Sequence, residues 1–153
     1  MIATAELSDA VHAAVAGVDD PEMPGVSIVE LGLLETLHVG ADGQVRVGLI
    51  PTFSGCPALA TIAADVRAAV SRVDGVSAVE VAFLATPVWS VDRISAAAEA
   101  RLGAGLGIAV ERSGAARCPR CGAPTDERSM FGPTRCRAVH GCPSCGEVVE
   151  VMR

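Results

Sequence analysis

The chain has 153 residues, half of them apolar, a net charge of −6, and four aromatic side chains: Phe53, Phe83, Phe131 and Trp89. That suffices for one ordinary domain plus a small appendage, with a core built from Val, Leu, Ile and Ala. No apolar run reaches the roughly 18 residues of a membrane-spanning helix, and no basic-then-apolar signal peptide opens the chain, so a soluble cytoplasmic protein is expected.

Residues 6–17 place Leu7, Val11, Val15 and Val18 at helical spacing, which predicts an amphipathic helix. Asp19-Asp20-Pro21-Glu22-Met23-Pro24-Gly25 follows and is expected to be a loop, because two prolines and a glycine crowd into five residues. A short strand is expected near 26–28. Residues 33–39 and 44–50 read as strands flanking Gly40-Ala41-Asp42-Gly43, a hairpin signal. Residues 57–73 form the clearest helix, with Leu59, Ile62, Val66, Val70 and Val73 in one stripe and Pro57 at its first position. Residues 76–84 predict a third strand with Val79, Val81 and Phe83 on one face. Strand, helix, strand calls for a crossover between parallel neighbours. Ser90 or Asp92 is expected to cap a further helix through Ile94, Ala98 and Leu102, ended by the glycines at 103–107.

The expected fold is therefore α+β, a small two-layer α-β-β-α-β-α sandwich over 1–110, a linker at 111–117, and a C-terminal metal ribbon over 118–153. Cys118-Pro-Arg-Cys121-Gly and Cys142-Pro-Ser-Cys145-Gly are two copies of one knuckle. Two residues between cysteines let both thiolates reach one ion, and two knuckles complete a tetrahedral sulfur shell of the structural zinc type. Iron accepts the same sulfurs, so the ligand set is better defined than the metal. The ribbon is too short for a core of its own, so metal supplies folding energy. In a reducing compartment six cysteines serve as ligands or thiols before disulfides. Cys136 lies outside the knuckles and reads first as a small buried residue, with a substitute ligand or redox-sensitive thiol as the other reading. His140, two before Cys142, is an unneeded alternative ligand, whereas His12 and His38 read as surface or satisfied residues.

Cys56, between the second strand and the best helix, is expected at the N-cap. There the orphan N–H groups and the helix dipole favour a thiolate, and Thr52 and Ser54 bring hydroxyls nearby. The residues alone leave it open between a buried cap and a site for a labile metal, cluster edge or nucleophile. Asp20 and Glu22 read first as loop-capping carboxylates, and Trp89 as core or interface. Residues 1–111 hold 14 acids against 5 arginines, and residues 112–153 hold 4 acids against 7 arginines. Four thiolates around a divalent ion add −2, which nearly neutralises that basic segment and makes nucleic-acid binding the weakest reading.

Taken together, Asp20-Pro21-Glu22-Met23-Pro24, Leu31-Gly32-Leu33, Pro51-Thr52-Phe53-Ser54-Gly55-Cys56-Pro57-Ala58 and the paired knuckles resemble the PaaD (PaaJ) family, with Pro87-Val88-Trp89-Ser90 and Phe131-Gly132-Pro133-Thr134-Arg135-Cys136 as further matches. The N-terminal part alone is similar to the wider family of SufT-like iron–sulfur cluster assembly factors. Phe53 stands where the family usually has Tyr, His140 ends a stretch in which an aromatic is common, and the tail at 148–153 lacks the usual aromatics and final cysteine. The resemblance implies an accessory subunit of phenylacetyl-CoA epoxidase in aerobic phenylacetate degradation. It also implies that Cys56 binds iron or an iron–sulfur cluster transiently, with Asp20 and Glu22 beside it and the ribbon as a docking element. The implied partners are the epoxidase reductase or oxygenase subunits and general iron–sulfur assembly proteins, and a homodimer stays open. The chain carries no nucleotide loop, flavin motif or di-iron Glu-x-x-His pair, so catalysis of the epoxidation itself is not expected. The competing expectation is a structural subunit that holds partners through the ribbon and Trp89.

Overall fold

The computed structural model describes residues 3–153, which divide into two compact units, the first ending at Trp89 and the second running Ser90–Arg153. In the first unit, helix α1 (Thr4–Ala16) buries Leu7, Val11 and Val15, the stripe expected from periodicity. Strands β3 (Leu34–Val39), β4 (Gln44–Leu49) and β5 (Ala78–Phe83) form one sheet in that order, and helix α2 (Ala58–Ser71) connects β4 to β5. β3 and β4 are antiparallel around the Gly40–Gly43 turn, whereas β4 and β5 are parallel and in step from Gln44↔Ala78 to Leu49↔Phe83. Val45, Val47 and Leu49 of β4 are buried together with Ile62, Val66 and Val70 of α2, which makes the helix-on-sheet layer. Alternation in a strand and a 3.6-residue period in a helix aim these branched side chains at one shared core.

The segment 19–25 corrects the expectation of an open loop. Asp19–Asp20 (β1) and Met23–Ser27 (β2) pair as a small antiparallel hairpin whose turn is Pro21-Glu22. The prolines fit because Pro21 lies in the turn and Pro24 is exposed on a ribbon of only two strands, where a missing donor is tolerated. Beyond it Ile28, Leu31 and Leu33 are fully buried, and Trp89 Nε1 donates to the Leu31 carbonyl at 2.8 Å. Trp89 is thus a core residue with its one donor satisfied, which removes it as an exposed handle for partners.

In the second unit β6 (Ile108–Val110), β7 (Asp126–Ser129), β8 (Arg137–Gly141) and β9 (Val148–Met152) form a sheet of order β6-β9-β8-β7. β6 runs parallel to β9, and Glu111 N–H continues the pairing to the Met152 carbonyl. This pairing explains why residues 90–110, expected with the first domain, belong to the second unit. Residues 111–117 are likewise no slack linker. Arg112 and Ala115 exchange backbone hydrogen bonds around a tight turn at Ser113-Gly114, and Ala116 is buried. The third helix also differs from expectation. It is α3 (Ala96–Arg101), capped by Ser95, whose Oγ accepts from Ala98 N–H; Ser90 and Asp92 sit at a single turn of 3-10 helix before it. Gly107, in the left-handed conformation, closes the segment as the glycine cluster suggests.

Candidate functional site

The two knuckles fold alike because their sequences are alike. Cys118 N–H bonds to the Ala123 carbonyl and Gly122 N–H returns to the Cys118 carbonyl, each at 2.8 Å. Cys142 N–H to the Glu147 carbonyl and Gly146 N–H to the Cys142 carbonyl repeat the pattern at the same lengths. Both turns need a positive φ after the second cysteine, +77° at Gly122 and +79° at Gly146, a region where glycine meets no steric penalty.

The knuckles bring four sulfurs to within 4.8 Å of one another. Across the knuckles, Cys118 Sγ lies 3.7 Å from Cys145 Sγ and Cys121 Sγ 3.5 Å from Cys142 Sγ. A tetrahedral zinc with bonds of about 2.3 Å needs sulfur separations of about 3.8 Å, so the set fits such an ion with little movement. Cys118 and Cys142 are buried, while Cys121 and Cys145 reach the surface. The backbone N–H of Cys145 and the Cys121 thiol pull Cys142 down to about 7. Cys145 accepts the backbone N–H of Glu147, yet burial and the hydrogen bonds of Cys142, Cys121 and Cys118 push it up to about 12. Cys142 thus ionises well before Cys145, and a divalent cation binding the tetrad displaces the proton that Cys145 holds. Arg120 of the first knuckle reaches Glu147 behind the second at 2.9 Å, which ties the two together on the outside.

The other expected site residues are spread through the first unit. Pro57, with helical φ −65°, takes the N-cap of α2, so Cys56 stands one residue before it and not on the cap itself. Cys56 N–H bonds to the Phe53 carbonyl and its own carbonyl accepts Leu59 N–H, which fixes the thiol at the head of the helix, half-buried. Gly55 lets the Phe53 ring lie over this turn, since a Cβ there would meet Phe53 Cε1 at 2.9 Å. Thr52 is half-buried and Ser54 exposed in the same turn. Asp20 is buried and its Oδ1 accepts Glu22 N–H at 2.8 Å, while Asp19 Oδ2 accepts Gly25 N–H, so Asp20 and Asp19 cap the β1–β2 turn and Glu22 enters it through its backbone N–H. A shallow groove of about 450 Å³ runs between that turn and α2, lined by Asp20, Pro21, Asp65 and Arg72, without Cys56. Among the described residues the only group of three or more potential metal ligands is the ribbon tetrad; Asp20, Glu22 and Cys56 do not form one. Cys136 is buried, with Thr134 Oγ1 3.2 Å from its sulfur, and His140 directs Nδ1 at Thr125 Oγ1. Sequence reasoning had no signal for Thr125.

Residues 8–83 match the family model described as iron-sulfur cluster assembly protein, and residues 108–153 match the PaaD zinc beta ribbon domain. A relative from Escherichia coli K12, named as a component of 1,2-phenylacetyl-CoA epoxidase, is 32% identical over 94% of this chain and 90% of its own. The chain belongs to the PaaD family. The PaaD character rests on the ribbon. The first unit alone is similar to a Porphyromonas gingivalis protein named Fe-S protein maturation auxiliary factor, 42% identical over 56% of this chain and 81% of that one. A Bacillus anthracis domain of unknown function shares the fold at a TM-score of 0.61 and 30% identity, covering 66% of this chain and 95% of its own.

Proposed function

We propose that this PaaD-family chain is an accessory maturation subunit that helps install or preserve a metal centre of phenylacetyl-CoA epoxidase, foremost the iron–sulfur cluster of its reductase. The observation that carries this reading is the division of labour among the cysteines. The tetrad is complete by itself, whereas Cys56 is the only cysteine before residue 118 and is held at a helix head without two further ligands drawn up to it among the described residues. Iron–sulfur clusters take four thiolates, so a cluster at Cys56 must share ligands with a partner or a second copy. Shared ligation suits hand-over better than storage. Cluster or iron is here the cargo, with Cys56 as its thiolate anchor and the positive end of α2 favouring that thiolate. Asp20 and Glu22 shape the β1–β2 turn beside Asp65 of α2 and Arg72 at its C-cap, Thr52 and Ser54 flank the thiol, and the ribbon is the docking element.

In the same reading Cys118, Cys121, Cys142 and Cys145 hold a resident structural zinc, which leaves no open coordination position for hydrolytic chemistry. Among the described residues no helix is long and apolar enough to cross a membrane, which accords with work in the cytoplasm. The decisive experiment places Cys56→Ser in cells lacking the native chain and measures the cluster content of the epoxidase reductase. Reduced content with the zinc of the variant intact supports maturation; unchanged content refutes it. Stoichiometric co-purification with the oxygenase, combined with unchanged content, would support the purely structural role.

A further inference from the structure

Thr125 Oγ1 lies 3.0 Å from the Ala116 carbonyl and 2.8 Å from His140 Nδ1. A carbonyl only accepts, so both contacts are hydrogen bonds when the hydroxyl donates to Ala116 and receives Nδ1–H from His140. Thr125 N–H also donates to the Ala116 carbonyl, at 3.1 Å. Ala116 stands two residues before Cys118, and His140 stands two residues before Cys142. One hydroxyl therefore joins the two chain segments that enter the two knuckles, at equivalent positions.

The placement matters because two short sulfur contacts, Cys118–Cys145 and Cys121–Cys142, run between the knuckles. The separation of the knuckles is the coordinate that opens or closes the sulfur shell. The β7–β8 pairing brings the two entering segments together, with Asp126 opposite Gly141, but the packing beneath the sulfurs adds little to it. The buried cluster beneath the site is Ala109, Ala116, Cys118, Cys142, Val149 and Val151, small side chains with no aromatic among them. His140 is itself buried, and its Nε2 has no hydrogen-bond partner among the described residues. A ring that leaves one buried nitrogen unmatched is costlier than an apolar residue unless its other nitrogen does something useful. Nδ1 on Thr125 is that use, and His140 contributes nothing to the tetrad itself.

We propose that Thr125 and His140 are positioning residues that clamp the two knuckles at metal-binding separation and so slow the release of the ion. This rests on the reading of the tetrad as a metal site. The test is the rate at which zinc passes from the full-length chain to an excess of a chromogenic chelator. Thr125→Val swaps the hydroxyl for a methyl of equal size and is expected to speed release at least about tenfold, the usual scale for groups that orient metal ligands. Thr125→Ser restores the hydroxyl and returns the rate to near wild type. His140→Leu reproduces the acceleration from the other side, and the double variant adds nothing to either single one. With cobalt in place of zinc, the visible absorption band of the thiolate site shifts or broadens in Thr125→Val and not in Thr125→Ser, which loss of packing alone does not predict. Equal release rates in wild type, Thr125→Val and His140→Leu overturn the clamp while leaving the metal site intact. A wild-type chain purified without metal, and unable to take up zinc, overturns both.

Discussion

At the scale of single residues the knuckles are defined by backbone shape as much as by sulfur. Gly122 and Gly146 adopt positive φ, and a Cβ at either would meet nothing within 4 Å among the described residues. Substitution there is a matter of conformation alone, costing about 1–2 kcal/mol for an L-residue in the left-handed region. Gly146→Ala is therefore expected to weaken metal binding about tenfold in a competition titration against a chelator of known affinity. Cys136→Ser, by contrast, is expected to leave metal content unchanged, since that sulfur is bonded to Thr134 and lies outside the tetrad. The lowered thiol of Cys142 also sets a pH dependence. With Cys142 down at about 7, its thiol is already ionised above that pH and protonated below it. Below about pH 7 the ion must displace one proton more, so affinity falls more steeply with acidification there than above it. Chelator competition from about pH 6 to about pH 8, spanning that titration, reads the change of slope directly.

At the scale of elements, α2 carries the first unit. Ile62, Val66 and Val70 are almost wholly buried, and α2 packs on β5 and α1, so Ile62→Ala is expected to cost about 2–5 kcal/mol in that unit while leaving the metal in the ribbon. Unfolding followed beside zinc analysis checks both halves of the statement. α2, the Gly40–Gly43 hairpin and the parallel β4–β5 pair were legible because periodicity, turn chemistry and crossover rules act over short stretches of chain. The knuckles were legible because metal geometry dictates ligand spacing. The β1–β2 hairpin was hidden, since strands this short, with Pro21 in the turn and Pro24 in β2, show no alternation, and it is the pairing of Asp20 with Met23 that defines it. The placement of Ser95 as the cap of α3 was obscured by Ser90 and Asp92, equally good capping types a few residues earlier. β6 was missed for another reason. Its pairing partner, β9, lies some forty residues further on, and no local pattern in Ile108–Val110 announces it. Cys56 was placed one residue too far into the helix because Pro57 can itself occupy the cap.

At the scale of the whole molecule, two compact units with different sources of stability follow from the composition. The first has a branched aliphatic core between helices and sheet, whereas the second sets alanines, cysteines, Val149 and Val151 around its tetrad and buries Leu102, Ile108 and Met152 as well. Removal of metal by a strong chelator is expected to unfold the second unit and leave the first folded, giving two transitions where the loaded protein resists. Circular dichroism during chelation, with retention of the α2 signal, reports this. The same separation underlies the functional reading, in which the ribbon keeps its ion and Cys56 handles cargo. Zinc in the chain and iron in the epoxidase reductase, both measured in phenylacetate-grown cells that carry only Cys56→Ser, test that division most directly. One zinc per chain, as in wild type, and a severalfold loss of iron from the reductase are expected; a reductase with its full iron content overturns the role given to Cys56.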